Sequence, residues 1–122
     1  MLKKILITTL CLVTIPVIAG LVESAKANKP YVFLYLYTPE CGYCKKFNPN
    51  YNKISQKYNN KFEYLKINAK TPYGNSLITK YRARYVPYVV VINSKTGRAF
   101  PIQTSCLIDY ACLDEVVSGF IK

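Results

Sequence analysis

Apolar and polar positions along this 122-residue chain switch between a period of two and a period near 3.6, and the switches mark its elements. Tyr31 to Tyr37 (YVFLYLY) is an unbroken apolar and aromatic run of strand length, the pattern of a central strand covered on both faces. Thr38-Pro39-Glu40 ends it. From Cys44 onward Phe47, Tyr51, Ile54 and Tyr58 recur at helical spacing while Lys45, Lys46, Lys53 and Lys57 take the outer side, which predicts an amphipathic helix. After the Asn59-Asn60 turn, Phe62 to Asn68 (FEYLKIN) alternates as a strand with one face buried. Thr71-Pro72-Tyr73-Gly74 then opens a short helix built on Leu77, Ile78 and Tyr81. Tyr88 to Ile92 (YVVVI) is the most β-prone run, and Asn93 to Gly97 predicts a hairpin loop into a strand from Arg98 to Gln103. A last helix would bury Leu113, Val116, Val117 and Phe120. Strand, helix, strand, helix, strand, strand, helix calls for one α/β domain with a mixed sheet between helices.

The first 27 residues follow a different logic. Lys3 and Lys4 precede a mostly apolar run from Ile5 to Val22, and Ala25-Lys26-Ala27 is a small-x-small processing signal. The expectation is a signal peptide at 1–27 and a mature domain at 28–122, exported to a periplasm or to the medium. An uncleaved segment that tethers the domain to a membrane is the alternative, because Ile5 to Val22 is just long enough to span a bilayer. Pro16, Gly20 and the threonines within the run disfavour it, so the mature form is not expected to span. Cys11, preceded by Leu10 rather than a small residue, reads as a small hydrophobe lost with the leader.

Charge narrows the partners. The formal net charge is +11; processing would take away Lys3, Lys4, Lys26 and Glu23 and leave +9. Tyr81-Arg82-Ala83-Arg84-Tyr85 is a basic, aromatic patch of the kind that contacts nucleic acid. Export argues against that partner. A solvated cationic face that also favours anionic membranes or acidic partners is the expectation.

Four cysteines remain after processing, Cys41, Cys44, Cys106 and Cys112, an even number that favours disulfides outside the cytoplasm. Cys41-Gly42-Tyr43-Cys44 falls where a strand hands over to a helix. Two sulfurs so spaced close a small ring and leave the first exposed at the helix start. There the unpaired N–H groups and the helix dipole stabilise a thiolate, and Lys45 and Lys46 add positive potential, so the thiol pKa is expected to fall. Cys41 is the candidate nucleophile and Cys44 the resolving thiol. Gly42 permits close approach of a substrate backbone, Tyr43 places a ring and a hydroxyl at the mouth, and Glu40 opposes the thiolate if its carboxylate is near. A purely structural disulfide needs no helix N-terminus. A zinc site would need four ligands, and with no histidine only the distant Cys106 and Cys112 are left to complete it, so no metal is expected.

Over about Tyr31 to Lys122 these residues resemble the thioredoxin superfamily. The resemblance rests on the CGYC at Cys41 to Cys44, on Pro49 five residues after the second cysteine, and on Val86-Pro87 just before the YVVVI strand. It implies a minimal thioredoxin-like α/β fold, with a mixed central sheet of about four strands flanked by helices. It also implies a kink at Pro49 and a cis-proline at Pro87 facing the disulfide, with Val86 and Pro87 forming a β-like edge for substrate peptide. Without the cysteine pair, a trans-proline that merely opens the strand would be the default. The CGYC is similar to that of bacterial periplasmic disulfide isomerases, whose dimerisation domain this chain lacks; a monomer is expected. Where the family usually has an aspartate, six residues before the first cysteine, this chain has Tyr35, which leaves proton handling to water or Glu40. Glu40 stands in place of the family's tryptophan, and the usual first strand and helix are missing.

Cys106 and Cys112 bracket the entry of the last helix. With Cys106 in the preceding loop the two can meet, and a structural disulfide is the expectation rather than a second redox relay. The activity implied by the resemblance is thiol-disulfide exchange with cysteine-containing exported proteins, with no cofactor beyond the Cys41–Cys44 disulfide itself. A membrane redox partner would recycle the couple. The alternative is a non-catalytic binding module that holds a partner peptide at the Pro87 edge.

Overall fold

The computed structural model describes residues 29–122; the expected leader, with Cys11, lies outside them. Four strands form one sheet in the order β2-β1-β3-β4. β1 (Tyr31–Tyr37) pairs in parallel with β2 (Phe62–Asn68) along its whole length, Tyr31 opposite Phe62 and Tyr37 opposite Asn68. Its other edge pairs antiparallel with β3 (Tyr88–Asn93), from Tyr31 opposite Asn93 to Leu36 opposite Tyr88, and β4 (Ala99–Ile102) closes the sheet antiparallel to β3. A parallel pair needs a crossover rather than a hairpin, and α1 (Gly42–Lys57) supplies it between β1 and β2. α2 (Pro72–Tyr81) returns the chain to β3, and α3 (Thr104–Leu107) and α4 (Tyr110–Phe120) follow β4. The mixed four-stranded sheet between helices is that of a thioredoxin-like fold.

β1 explains the layering. Phe33, Leu34, Tyr35 and Leu36 are all buried, and successive side chains leave opposite faces of the sheet. Phe33 and Tyr35 join Phe47 and Ile54 of α1, Phe62, Val89, Val91, Leu113 and Val117 in the larger core. Leu34 and Leu36 meet Leu77 of α2, Tyr88 and Val90 in the smaller one. A run without polar alternation is what two-sided burial requires.

Several expectations change on contact with neighbouring elements. β2 buries both faces partially: Phe62 and Tyr64 enter the larger core, Leu65 and Ile67 the smaller. A partner strand on one edge and helices on both sides leave it no wholly wet face. β4 is shorter than Arg98 to Gln103, and α3 forms where a loop was expected, so Cys106 is itself helical. On α4, Leu113 and Val117 are buried one turn apart and Phe120 stacks near Tyr31 and Phe100. Val116 is exposed, because it lies on the flank of α4 beside the Cys106–Cys112 bond, lining an open cleft with Pro101, Ile102 and Gln103.

Caps fix the helix starts. Thr71 accepts the Gly74 N–H at 3.0 Å with Pro72 at the first helical position, and Asp109 accepts the Cys112 N–H at 3.3 Å. The start of α2 presses on the end of β2: a β-carbon on Gly74 would collide with the carbonyl oxygen of Asn68 and crowd the Ala69 backbone. Those are main-chain atoms that cannot swing aside. Gly74→Ala should therefore destabilise the domain by about 2 kcal/mol, the cost of overpacking exceeding the roughly 1 kcal/mol that alanine gains in helix propensity. Urea unfolding of the two proteins measures it, and a more stable variant would contradict the close packing.

Candidate redox site

The two-sided strand delivers the site. β1 ends at Tyr37, the turn Thr38 to Glu40 follows, and Cys41 caps α1. Because β3 runs antiparallel with Tyr88 opposite Leu36, the residues just before Tyr88 lie at the same end of the sheet as the end of β1. The register thus brings Val86 and Pro87 to the end that carries the cysteines, although they lie over forty positions away in sequence. The Val86–Pro87 peptide bond is cis. Val86 packs, partly buried, against the same core cluster as Cys41 and Cys44. Pro87 itself is buried, so the accessible part of this edge is Val86 with the exposed Tyr85 beside it.

Cys41 and Cys44 are joined in a disulfide with Cα atoms 5.2 Å apart. Their environments differ. Cys44 is 2% exposed, whereas Cys41 is only partly buried. Cys41 is also the N-cap of α1, and the Cys44 N–H donates to its Sγ at 3.0 Å. A helix start leaves several backbone donors unpaired, and a sulfur seated there has one of them already aimed at it. Gly42 and Tyr43 are exposed, and with Lys46 they line a shallow cleft of about 240 Å³. Lys46 Nζ sits 5.2 Å from the centre of the Tyr43 ring, within cation–π range. Apart from its chain neighbours and its own helix backbone, no heavy atom of the described residues lies within 4 Å of where a Gly42 β-carbon would stand, so the space at Gly42 is open.

The tuning residues divide. Glu40 forms an ion pair with Lys70, and that hydrogen bond, helped by its own backbone N–H, holds its carboxyl below the usual range. Its charge is answered by Lys70. Lys45 lies exposed on the first turn of α1 and forms no ion pair among the described residues. The same residues contain no group of three or more cysteine and carboxylate side chains placed to hold a metal.

The sequence marks Tyr35 only as a substitution; the structure puts its hydroxyl against the first turns of α1. The phenol donates to Asn48 Oδ1 at 2.8 Å and, more weakly, to the Cys44 carbonyl oxygen at 3.4 Å. Burial, with Tyr51 and Tyr37 adding to it, pushes this phenol above the ordinary tyrosine range. Asn48 was not singled out at all, and no sequence signal marks it beyond its place one residue before Pro49.

What this arrangement can do chemically is thiol-disulfide exchange: an accessible sulfur at a helix cap, a buried partner sulfur one turn later, and an open approach. A family model described as Thioredoxin matches residues 21–104. The chain belongs to the thioredoxin family. Among solved thioredoxins, the germline-specific Deadhead protein of Drosophila melanogaster superposes with a TM-score of 0.65 at 21% identity, covering 80% of this chain and 87% of that one. A thioredoxin mutant from Halobacterium salinarum gives 0.66 at 18% identity, covering 83% of each chain. A protein disulfide-isomerase of Zea mays is 28% identical over 76 residues, which is 60% of this chain and only 15% of that protein's length.

As a thioredoxin-family domain the chain carries an additional bond. Cys106 in α3 and Cys112 in the first turn of α4 are joined, with Cα atoms 5.2 Å apart, and Asn50 of α1 donates to the Leu107 carbonyl at 2.9 Å. A loop this short contributes roughly 2 kcal/mol by chain entropy, less than the roughly 3–5 kcal/mol lost on truncating a core phenylalanine. Replacing both Cys106 and Cys112 by alanine should lower unfolding free energy by about 2 kcal/mol and leave exchange at Cys41 within about twofold of wild type. Paired denaturation and thiol-exchange assays check this, and loss of exchange with stability intact would assign the second bond a redox part.

Proposed function

We propose that this chain is an exported thiol-disulfide oxidoreductase that exchanges disulfides with cysteines of other exported proteins through Cys41 and Cys44. The observation that carries the proposal is the asymmetry of the pair: Cys41 accessible at the N-cap of α1 with the Cys44 N–H on its sulfur, Cys44 buried behind it. In the reducing direction the Cys41 thiolate attacks a substrate disulfide, one substrate sulfur leaves as a thiolate, and a mixed disulfide forms. Cys44, once deprotonated, attacks Cys41 Sγ; the Cys41–Cys44 bond forms, the second substrate sulfur leaves, and two electrons have passed to the substrate. The oxidising direction is the reverse. Direction follows the reduction potential of the couple against that of its partner, and a membrane redox partner recycles it.

Substrate peptide lies as an extended strand against the Val86 backbone, with Gly42 giving it room, Tyr43 and Tyr85 flanking it, and Lys45 keeping the potential positive. The family match and the protein disulfide-isomerase relative favour exchange with protein substrates over small-molecule chemistry. Export rests on the basic, apolar and small-x-small order of residues 1–27.

Two measurements bear on this. Cys41→Ser should abolish insulin reduction by dithiothreitol-recycled protein, while Cys44→Ser should accumulate a mixed disulfide on Cys41 that a reducing gel resolves; wild-type turnover no faster than dithiothreitol alone would leave only a binding module. Intact-mass analysis of the protein secreted by a bacterial host should give a chain beginning at Asn28, and a form still starting at Met1 would replace export by membrane tethering.

A further inference from the structure

Among the described residues, no buried side chain behind the disulfide is charged. The buried set of those residues contains no carboxylate, ammonium or guanidinium, and the chain has no histidine. The polar side-chain groups that the structure brings to Cys44 from below are the Tyr35 hydroxyl and, through it, the Asn48 amide.

Tyr35 is held on every side. Its backbone is paired on both edges, to Lys66 of β2 and Val89 of β3. Phe47 meets its ring edge-on at 4.7 Å, Tyr51 packs at 5.1 Å, and Lys66 Nζ lies 5.6 Å from the ring centre. The hydroxyl therefore has a fixed position set by the sheet, and it reaches across to two residues of the active-site helix, Cys44 and Asn48.

That reach matters because of the next residue. Pro49 has no N–H, so the Lys45 carbonyl lacks the helical donor it would otherwise receive, and the first two turns of α1 are tied less firmly to the rest of the helix. One main-chain bond fewer then joins the turn that carries both sulfurs to the rest of α1. The phenol supplies the missing tie from the sheet instead.

We propose that Tyr35 is a positioning residue of the exchange reaction: by holding Cys44 and Asn48 from the central strand, it keeps the Cys44 sulfur within attacking range of Cys41. The inference rests on the redox reading above. It concerns one step, the attack of the Cys44 thiolate on Cys41 Sγ in the mixed disulfide. There the Cys41–Cys44 bond forms, the Cys41–substrate bond breaks with its electron pair going to the departing sulfur, and solvent base has taken the Cys44 proton. An intramolecular attack of this kind is fast in proportion to how narrowly the nucleophile is confined. Tyr35 does not take the proton. Its buried phenol is already a weaker acid than in water, and its one hydrogen is shared between Asn48 Oδ1 at 2.8 Å and the Cys44 carbonyl oxygen at 3.4 Å.

Tyr35→Phe removes one oxygen and keeps the ring and its packing. The test forms a mixed disulfide between Cys41 and glutathione by rapid mixing and follows release of glutathione as Cys44 resolves it. Alkylation of Cys41 by iodoacetamide in the reduced proteins is measured alongside. Loss of one such hydrogen bond should slow resolution about tenfold and lower the equilibrium constant for closing the Cys41–Cys44 bond by a similar factor, with alkylation unchanged within twofold. A merely structural role would lower thermal stability without separating these two rates. Should Tyr35→Phe fail to fold, Asn48→Ala removes the other end of the tie and is read in the same way. Equal resolution rates in wild type and variant overturn the inference while leaving the redox reading intact; a wild-type chain that forms no mixed disulfide at Cys41 overturns both.

Discussion

The constraint on which this molecule depends is the burial of β1 on both faces and its pairing on both edges. Four consecutive residues, Phe33 to Leu36, are almost wholly withdrawn from water, and from Tyr31 to Leu36 the strand is paired on both edges. Such a strand cannot slip by one residue without moving Tyr35 and Phe33 into the smaller core and Leu34 and Leu36 into the larger. The point at which the chain leaves the sheet is therefore fixed, and so is the first turn of α1. A reactive sulfur needs that fixity, because its chemistry depends on where its neighbours' N–H groups point.

From this frame the site is assembled by two unrelated stretches of chain. One is local: the turn after β1, the cap at Cys41 and the buried Cys44 follow one another in sequence. The other arrives through the antiparallel register of β3, which sets Val86 and Pro87 at the same end of the sheet. The charges nearby are arranged so that little opposes a thiolate. Glu40 is engaged by Lys70, Lys45 and Lys46 are exposed on the first turns, and among the described residues no buried side chain behind Cys44 is charged. The polar contact from below is a phenol, which orients without carrying charge.

The far half of the domain serves support. The Cys106–Cys112 bond joins the short α3 to α4, Asn50 ties α3 to α1, and Lys57 and Tyr58 both bind Asp114. These links hold α4 against the lower part of α1. Exposed ion pairs such as Lys57–Asp114 contribute little each, so the burial of Leu107, Leu113 and Val117 in the larger core carries most of that attachment.

Much of this was written in the order of residues. The unbroken YVFLYLY run demanded a central strand, the 3.6-residue spacing of Phe47, Tyr51 and Ile54 demanded a helix, and the Cys41–Cys44 spacing at their junction named the chemistry, because each of these signals is carried by neighbours in sequence. Tertiary structure alone decided the rest. It turned Glu40 toward Lys70, gave β2 two half-buried faces, folded Cys106 into a helix of its own, left Val116 in the open and hung Tyr35 from the sheet onto Cys44 and Asn48. Each of those outcomes depends on which distant element comes to lie within a few ångströms, and a linear pattern of side chains holds no distances between residues far apart along the chain.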